Sequence, residues 1–73
     1  MDLGTRIAQW RRARGLTQRD LANAVGVSVS AVSYWESNTH PPSQKHLDAI
    51  VRALGLTMER FYGRIPTVKV KAA

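Results

Sequence analysis

The 73-residue chain contains no cysteine, which excludes disulfides and thiolate-bound metal. Its two histidines, His40 and His46, are too few to build a structural metal site. No metal and no cofactor is therefore expected. No apolar run approaches the roughly 20 residues that span a bilayer. The apolar residues near the start are interleaved with Arg6, Arg11 and Arg12, so this segment does not read as a signal peptide. A cytoplasmic protein with no membrane partner is the expectation. Paired carboxylates at helical spacing and a glycine-rich phosphate loop are also missing. The serines are accounted for by helix caps and one helix face, so no enzyme is expected.

Acidic residues are scarce as well. Five Asp and Glu stand against eleven Lys and Arg, a net charge of +6. A basic balance this strong in a small domain points to a polyanionic partner, nucleic acid first. The hydrophobic content of 44% suits a folded chain. The length allows one domain, whose core buries roughly 60% of the unfolded surface.

Glycine and polar capping residues divide the chain into five helical segments. The first covers residues 3–14, with Leu3, Ile7 and Trp10 at helical spacing, Asp2 as its cap and Gly15 at its end. The second opens with Thr17-Gln18-Arg19-Asp20, a capping-box pattern, turns Leu21, Ala22 and Val25 inward, and ends at Gly26. The third runs from Ser28 to about Ser37. The fourth is capped by Ser43 and carries Leu47, Ile50, Val51 and Leu54, the stripe of an amphipathic helix, before Gly55. The fifth lies between Thr57 and Gly63. The folded domain is placed at residues 1–63. Residues 64–73 form a basic tail, in which Thr67-Val68-Lys69-Val70-Lys71 alternates as a short strand would, a frayed end being the alternative.

Residues 18–37 carry the most information. Two helices joined by a three-residue turn at Gly26 must cross steeply to share a core. That crossing needs a small side chain at the contact, Ala22, and a residue tolerant of positive φ, Gly26. Val32 and Trp35 plug the following helix into the core. Gln18, Ala22, Gly26, Val32 and Trp35 in this order resemble the helix-turn-helix of the Cro/C1-type (XRE) family of regulators. The likeness extends to Arg11-x-x-x-Gly15-Leu16-Thr17-Gln18, Leu21-Ala22, Glu36, Pro42-Ser43 and Leu54-Gly55-Leu56. The resemblance implies an all-α, five-helix lambda-repressor-like DNA-binding domain. Its third helix would enter the major groove of double-stranded DNA, usually as a homodimer on a palindromic operator. It also implies an ion pair between Arg11 and Glu36 that orients the arginine for a phosphate. One departure stands out: Asn38 replaces the family's usual glycine two residues after the glutamate. Asparagine is the next-best residue at positive φ.

The reading face can be argued from the residues themselves. At roughly 100° per residue, Ala31, Val32, Trp35 and Glu36 share one side of the third helix. Val29, Ser30, Ser33, Tyr34 and Ser37 share the other. That second face is short and uncharged, which fits close approach to base edges through serine hydroxyls and valine methyls. Base readout is assigned to Val29, Ser30, Ser33 and Tyr34, with DNA shape contributing where no bidentate Arg or Asn is present. Phosphate contacts are assigned to Gln18, Arg19, Asn38, Lys45 and Arg11. Met58, Phe61 and Ile65 are more apolar than a short terminal helix needs, and are assigned to a dimer interface. The expected role is a transcriptional regulator, a repressor. Two alternatives stay open: an antitoxin that binds a toxin partner and autoregulates its operon, and a restriction-modification controller protein.

Overall fold

A computed structural model of the chain describes residues 1–66. It is built from α1 (Leu3–Ala13), α2 (Gln18–Val25), α3 (Val29–Glu36), α4 (Gln44–Ala53) and α5 (Met58–Phe61). Among the described residues there is no strand. This is the all-α, five-helix lambda-repressor-like arrangement expected. The strand anticipated over 67–71 lies outside the described residues. None of the helices described is long and apolar enough to cross a membrane.

Each helix opens on a side chain that satisfies a free N–H. Asp2 accepts from Thr5 N at 3.1 Å, Ser28 from Ala31 N at 3.1 Å, Ser43 from His46 N at 3.2 Å and Thr57 from Arg60 N at 3.1 Å. At α2 the box is reciprocal: Asp20 N donates to Thr17 Oγ1 at 3.0 Å, and Thr17 N donates to Asp20 Oδ2 at 2.9 Å. Gly26 closes α2 at φ 86°, a conformation that costs a β-carbon-bearing residue roughly 1 kcal/mol or more. Three residues, 26–28, then separate α2 from α3.

The core is a single cluster. Ile7, Trp10, Leu21, Val32, Ile50 and Phe61 are fully buried, and Ala22, Trp35, Leu47, Val51 and Leu54 complete it. α3 packs on α1 and α2, while α4 joins α2 to α5. Two expectations for the C-terminal end change here. Phe61 was expected at a dimer surface, yet its ring is 0% exposed. Met58 and Ile65 are half-buried and pack against the same core. The apolar excess of this segment therefore serves the domain's own interior first, and the packed unit continues past residue 63 to Ile65.

Candidate nucleic-acid interface

α3 has two unlike sides. Inward, Val32 and Trp35 are buried, with Ala31 and Val29 half-buried beside them. Outward, Ser30, Ser33 and Tyr34 are exposed, Tyr34 over 50% of its surface. The Tyr34 ring meets His40 edge-on at 5.6 Å between centroids. Of the residues read as base-contacting, Ser30, Ser33 and Tyr34 thus share an open face, and Val29 sits at its border with the core. The one charged side chain of α3, Glu36, is turned away from that face.

Glu36 is the hub of a polar joint. Arg11 Nε donates to its Oε2 at 2.6 Å and Arg11 Nη2 to its Oε1 at 3.0 Å. Gln18 Nε2 donates to the same Oε1 at 3.0 Å, and Arg11 Nη1 donates to the Leu16 carbonyl at 2.8 Å. The side chains of Arg11 and Glu36 are only 10% and 6% exposed. Such a bidentate pair is geometrically specific. Its net stabilisation is small because both charges leave water, yet removing one partner strands the other. The joint fixes the end of α3 against α1 and the start of α2. The pairing of Arg11 with Glu36 is as expected. The phosphate contact also expected of Arg11 is not favoured, since all three of its nitrogens are engaged within the domain. Gln18, half-buried at the first turn of α2, donates one amide N–H to Glu36, which leaves its second N–H for a further acceptor.

Arg19 and Lys45 are exposed at the first turns of α2 and α4, and neither forms an ion pair among the described residues. Asn38 adopts φ 62°, as its replacement of glycine suggests. Its side chain, however, is occupied. Gly4 N donates to Asn38 Oδ1 at 3.0 Å, and Asn38 Nδ2 donates to Asp2 Oδ1 at 3.0 Å. Asn38 therefore clamps the end of α3 to the start of α1 instead of presenting its amide to a phosphate. The clamp depends on Gly4, where a β-carbon would fall 2.2 Å from the Trp35 carbonyl oxygen and 2.6 Å from Asn38 Oδ1. Hydrogen bonds from Thr5 and then Asn38 hold the Asp2 carboxyl below its ordinary 3.8. The capping box does the same to Asp20.

Gly4, Asp2 and Leu16 were not read as site residues. A glycine inside a helix costs up to about 1 kcal/mol against alanine, and that mismatch was the available signal for Gly4. At the other end of the domain, Trp10 Nε1 donates to the Phe61 carbonyl at 2.9 Å. Arg6 Nη1 donates to the carbonyls of Phe61 and Gly63 at 2.9 and 2.8 Å. Tyr62, also missed, is 53% exposed there.

The sequence model of the Helix-turn-helix family matches residues 7–61. The chain is 34% identical over 58 residues to Endothelial differentiation-related factor 1 of Homo sapiens, which covers 80% of this chain and 39% of that protein. It is 30% identical over 67 residues to the Cryptic phage CTXphi transcriptional repressor RstR of Vibrio cholerae, covering 92% of this chain and 60% of the relative. It is 33% identical over 73 residues to the Immunity repressor protein of Bacillus phage phi105, covering 100% of this chain and 51% of the relative. The chain thus spans from 39% to 60% of the length of these relatives. No solved structure matches it. With α2, its three-residue turn and α3 inside the matched span, the chain belongs to the helix-turn-helix family, in the Cro/C1-type (XRE) branch that its motif resembles.

Proposed function

We propose that this domain is a sequence-specific DNA-binding module of a transcriptional regulator, a repressor acting as a homodimer on a palindromic operator. The observation that carries the reading is the outer face of α3. It is exposed, uncharged and lined by Ser30, Ser33 and Tyr34, while the single charge of the helix is locked inward. A solvated helix face ordinarily carries Lys or Glu; a helix meant for the floor of a groove does not need them. Arg19 and Lys45, exposed at the first turns of α2 and α4, are assigned phosphate contacts, with Gln18 at the start of α2. The relatives named as repressors support the same reading.

Two copies follow from size. One domain reads only a few base pairs, and specificity in a genome requires more. The pairing surface is assigned to Met58 and Ile65 together with exposed Tyr62, Phe61 being withdrawn into the core. Sedimentation at micromolar concentration of the parent and Tyr62→Glu checks this; a dimer unaffected by the change places the interface elsewhere.

The decisive experiment selects bound sequences from random DNA and then measures affinity against salt. With six to ten phosphate contacts, affinity falls about 10³- to 10⁵-fold between 50 and 200 mM salt. Tyr34→Ala and Ser30→Ala each cost about 1–3 kcal/mol of discrimination between selected and random DNA. Gln18→Ala weakens both evenly. A flat salt response or an unchanged specificity ratio overturns the proposal.

A further inference from the structure

Trp10 lies under two arginines. Arg14 and Arg60 hold their guanidinium carbons 5.6 and 5.5 Å from the centroid of its ring. The ring is 1% exposed, whereas both arginines are exposed residues. A third arginine, Arg6, sits 5.8 Å over the Tyr62 ring and donates to the end of α5. Neither Arg14 nor Arg60 forms an ion pair among the described residues. The guanidinium fork is weakly hydrated and stacks readily on aromatic faces. Stacking holds Arg14 and Arg60 in place before any ligand arrives, so less ordering entropy is lost on binding. Two like charges gathered over one ring, with no acid between them, favour an anion.

The position of this seam separates it from the α3 face. Arg6 and Trp10 on α1 and Arg14 at its C-cap follow one another at four-residue spacing, one stripe along the helix. At 100° per residue that stripe lies roughly 110° round from Gly4 and Arg11, which face α3. Its other wall, α5, packs on α4. On α5, Arg60 and Met58 fall on opposite flanks of Phe61. The seam thus lies on a different side of α1 from the one that meets α3.

We propose that this α1–α5 seam is a docking surface for an acidic peptide segment of a partner protein. A second copy of the chain does not supply the complementary charge. Of its five acids, Asp2 and Asp20 cap helices, Glu36 is paired with Arg11 and Asp48 accepts from Gln44, which leaves exposed Glu59 alone, one carboxylate against two arginines. The stripe from Arg6 to Arg14 rises about 12 Å. An extended peptide covers that stripe with about four residues; Arg14 and Arg60, 5.6 and 5.5 Å from one ring centroid, lie no more than about 11 Å apart, a span that its alternate carboxylates bridge.

The test uses the whole chain and a fluorescein-labelled hexaglutamate peptide, with hexaglutamine as the uncharged probe. Two double variants of equal net charge are compared: Arg14→Gln/Arg60→Gln in the seam and Arg19→Gln/Lys45→Gln beside α3. The seam pair is expected to weaken hexaglutamate binding at least about tenfold, because charge-assisted hydrogen bonds are the strong ones. The α3-side pair loses no more than roughly threefold, the effect of a screened distant charge. DNA affinity responds in the opposite order. In the parent, hexaglutamate shifts the Trp10 indole N–H resonance and leaves that of Trp35 in place; hexaglutamine shifts neither. Equal loss in the two double variants reduces the seam to general charge. A seam variant that loses DNA affinity as the α3-side variant does makes the seam part of the DNA surface. Either outcome overturns the proposal, and neither depends on whether α3 reads sequence.

Discussion

α1 makes two junctions, and they are built from different materials. Against α3 it uses backbone and charge: Gly4 under the Trp35 carbonyl, the Asn38 amide bridging Gly4 N and Asp2, and the Arg11–Glu36 pair. Against α5 it uses rings: Trp10 over the Phe61 carbonyl, roofed by Arg14 and Arg60. Hydrogen bonds and steric contact tolerate only small displacements. Stacked arginines and aromatic faces tolerate more, because cation–π attraction varies slowly with position. The difference assigns a rigid mount to α3, as the base contacts proposed for it would require, and a forgiving one to α5.

The largest expected effect breaks the α3 junction at its charge. Glu36→Ala leaves Arg11 buried without its carboxylate and is expected to cost about 3–5 kcal/mol in urea unfolding. Arg11→Met/Glu36→Met together should cost much less, because no charge is stranded. A double variant as unstable as the single one removes the ion pair from the account. Within the comparison, Arg14→Gln/Arg60→Gln at the α5 junction should stay within about 1 kcal/mol of the parent, as exposed charges do.

The next contrast uses two glycines. Gly4→Ala would ordinarily stabilise a helix by up to about 1 kcal/mol. Here it should destabilise by about 2–3 kcal/mol, because the added carbon meets a backbone oxygen that the rest of α3 holds in place. At the α5 end, a β-carbon on Gly63 finds the Arg60 carbonyl at 3.3 Å, a contact that small shifts relieve. Gly63→Ala is expected to change stability by about 0.5 kcal/mol. Thermal unfolding followed by circular dichroism measures both. Equal effects would erase the distinction between a tight and a loose junction.

The Gly4 contact also shows where reading the sequence stops. Caps and helix ends were legible because they are local: Thr17 and Asp20, or Ser28 and Ala31, are three residues apart and speak for themselves. The α3 face was legible because helical spacing sorts Ser30, Ser33 and Tyr34 from Val32 and Trp35. The contacts that set the junctions join residues 25 to 51 positions apart, as in Arg11–Glu36, Gly4–Asn38 and Trp10–Phe61. Of these only Arg11–Glu36 was anticipated, through resemblance. Phe61 was misplaced because a four-residue helix has too little length for periodicity to tell an inward ring from an outward one.

A smaller effect separates the two functions of Asn38. Its φ of 62° suits glycine, and its side chain makes two hydrogen bonds that glycine cannot. Asn38→Gly keeps the backbone and should cost about 1 kcal/mol for the lost bonds. Asn38→Ala adds left-handed strain and should cost about 2 kcal/mol. If alanine is no worse than glycine, the backbone at 38 relaxes and the mount on α3 is softer than described.

Acid should loosen the α3 junction before the α5 one, and this is the mildest contrast. Hydrogen bonds from Thr5, with Asn38 adding to them, keep the folded Asp2 carboxyl below 3.8, so the unfolded chain binds the proton first as the pH falls. The stabilisation is therefore complete above 3.8 and disappears as the pH drops through the lower folded value. Asp20 behaves in the same way and contributes to the same slope. Asp2→Asn separates the two. Asparagine caps a helix as well as aspartate, and its oxygen can still accept from Thr5 and Asn38, so stability near neutrality should be nearly unchanged while part of the acid slope vanishes. The polar contacts of the α5 junction run to carbonyls and aromatic rings, with no carboxylate among them. In an NMR titration below pH 5, the Gly4 amide should therefore move before the Trp10 indole. A Trp10 signal that moves first, or an acid slope that Asp2→Asn leaves intact, would show that the carboxylate clamp is not what secures α3.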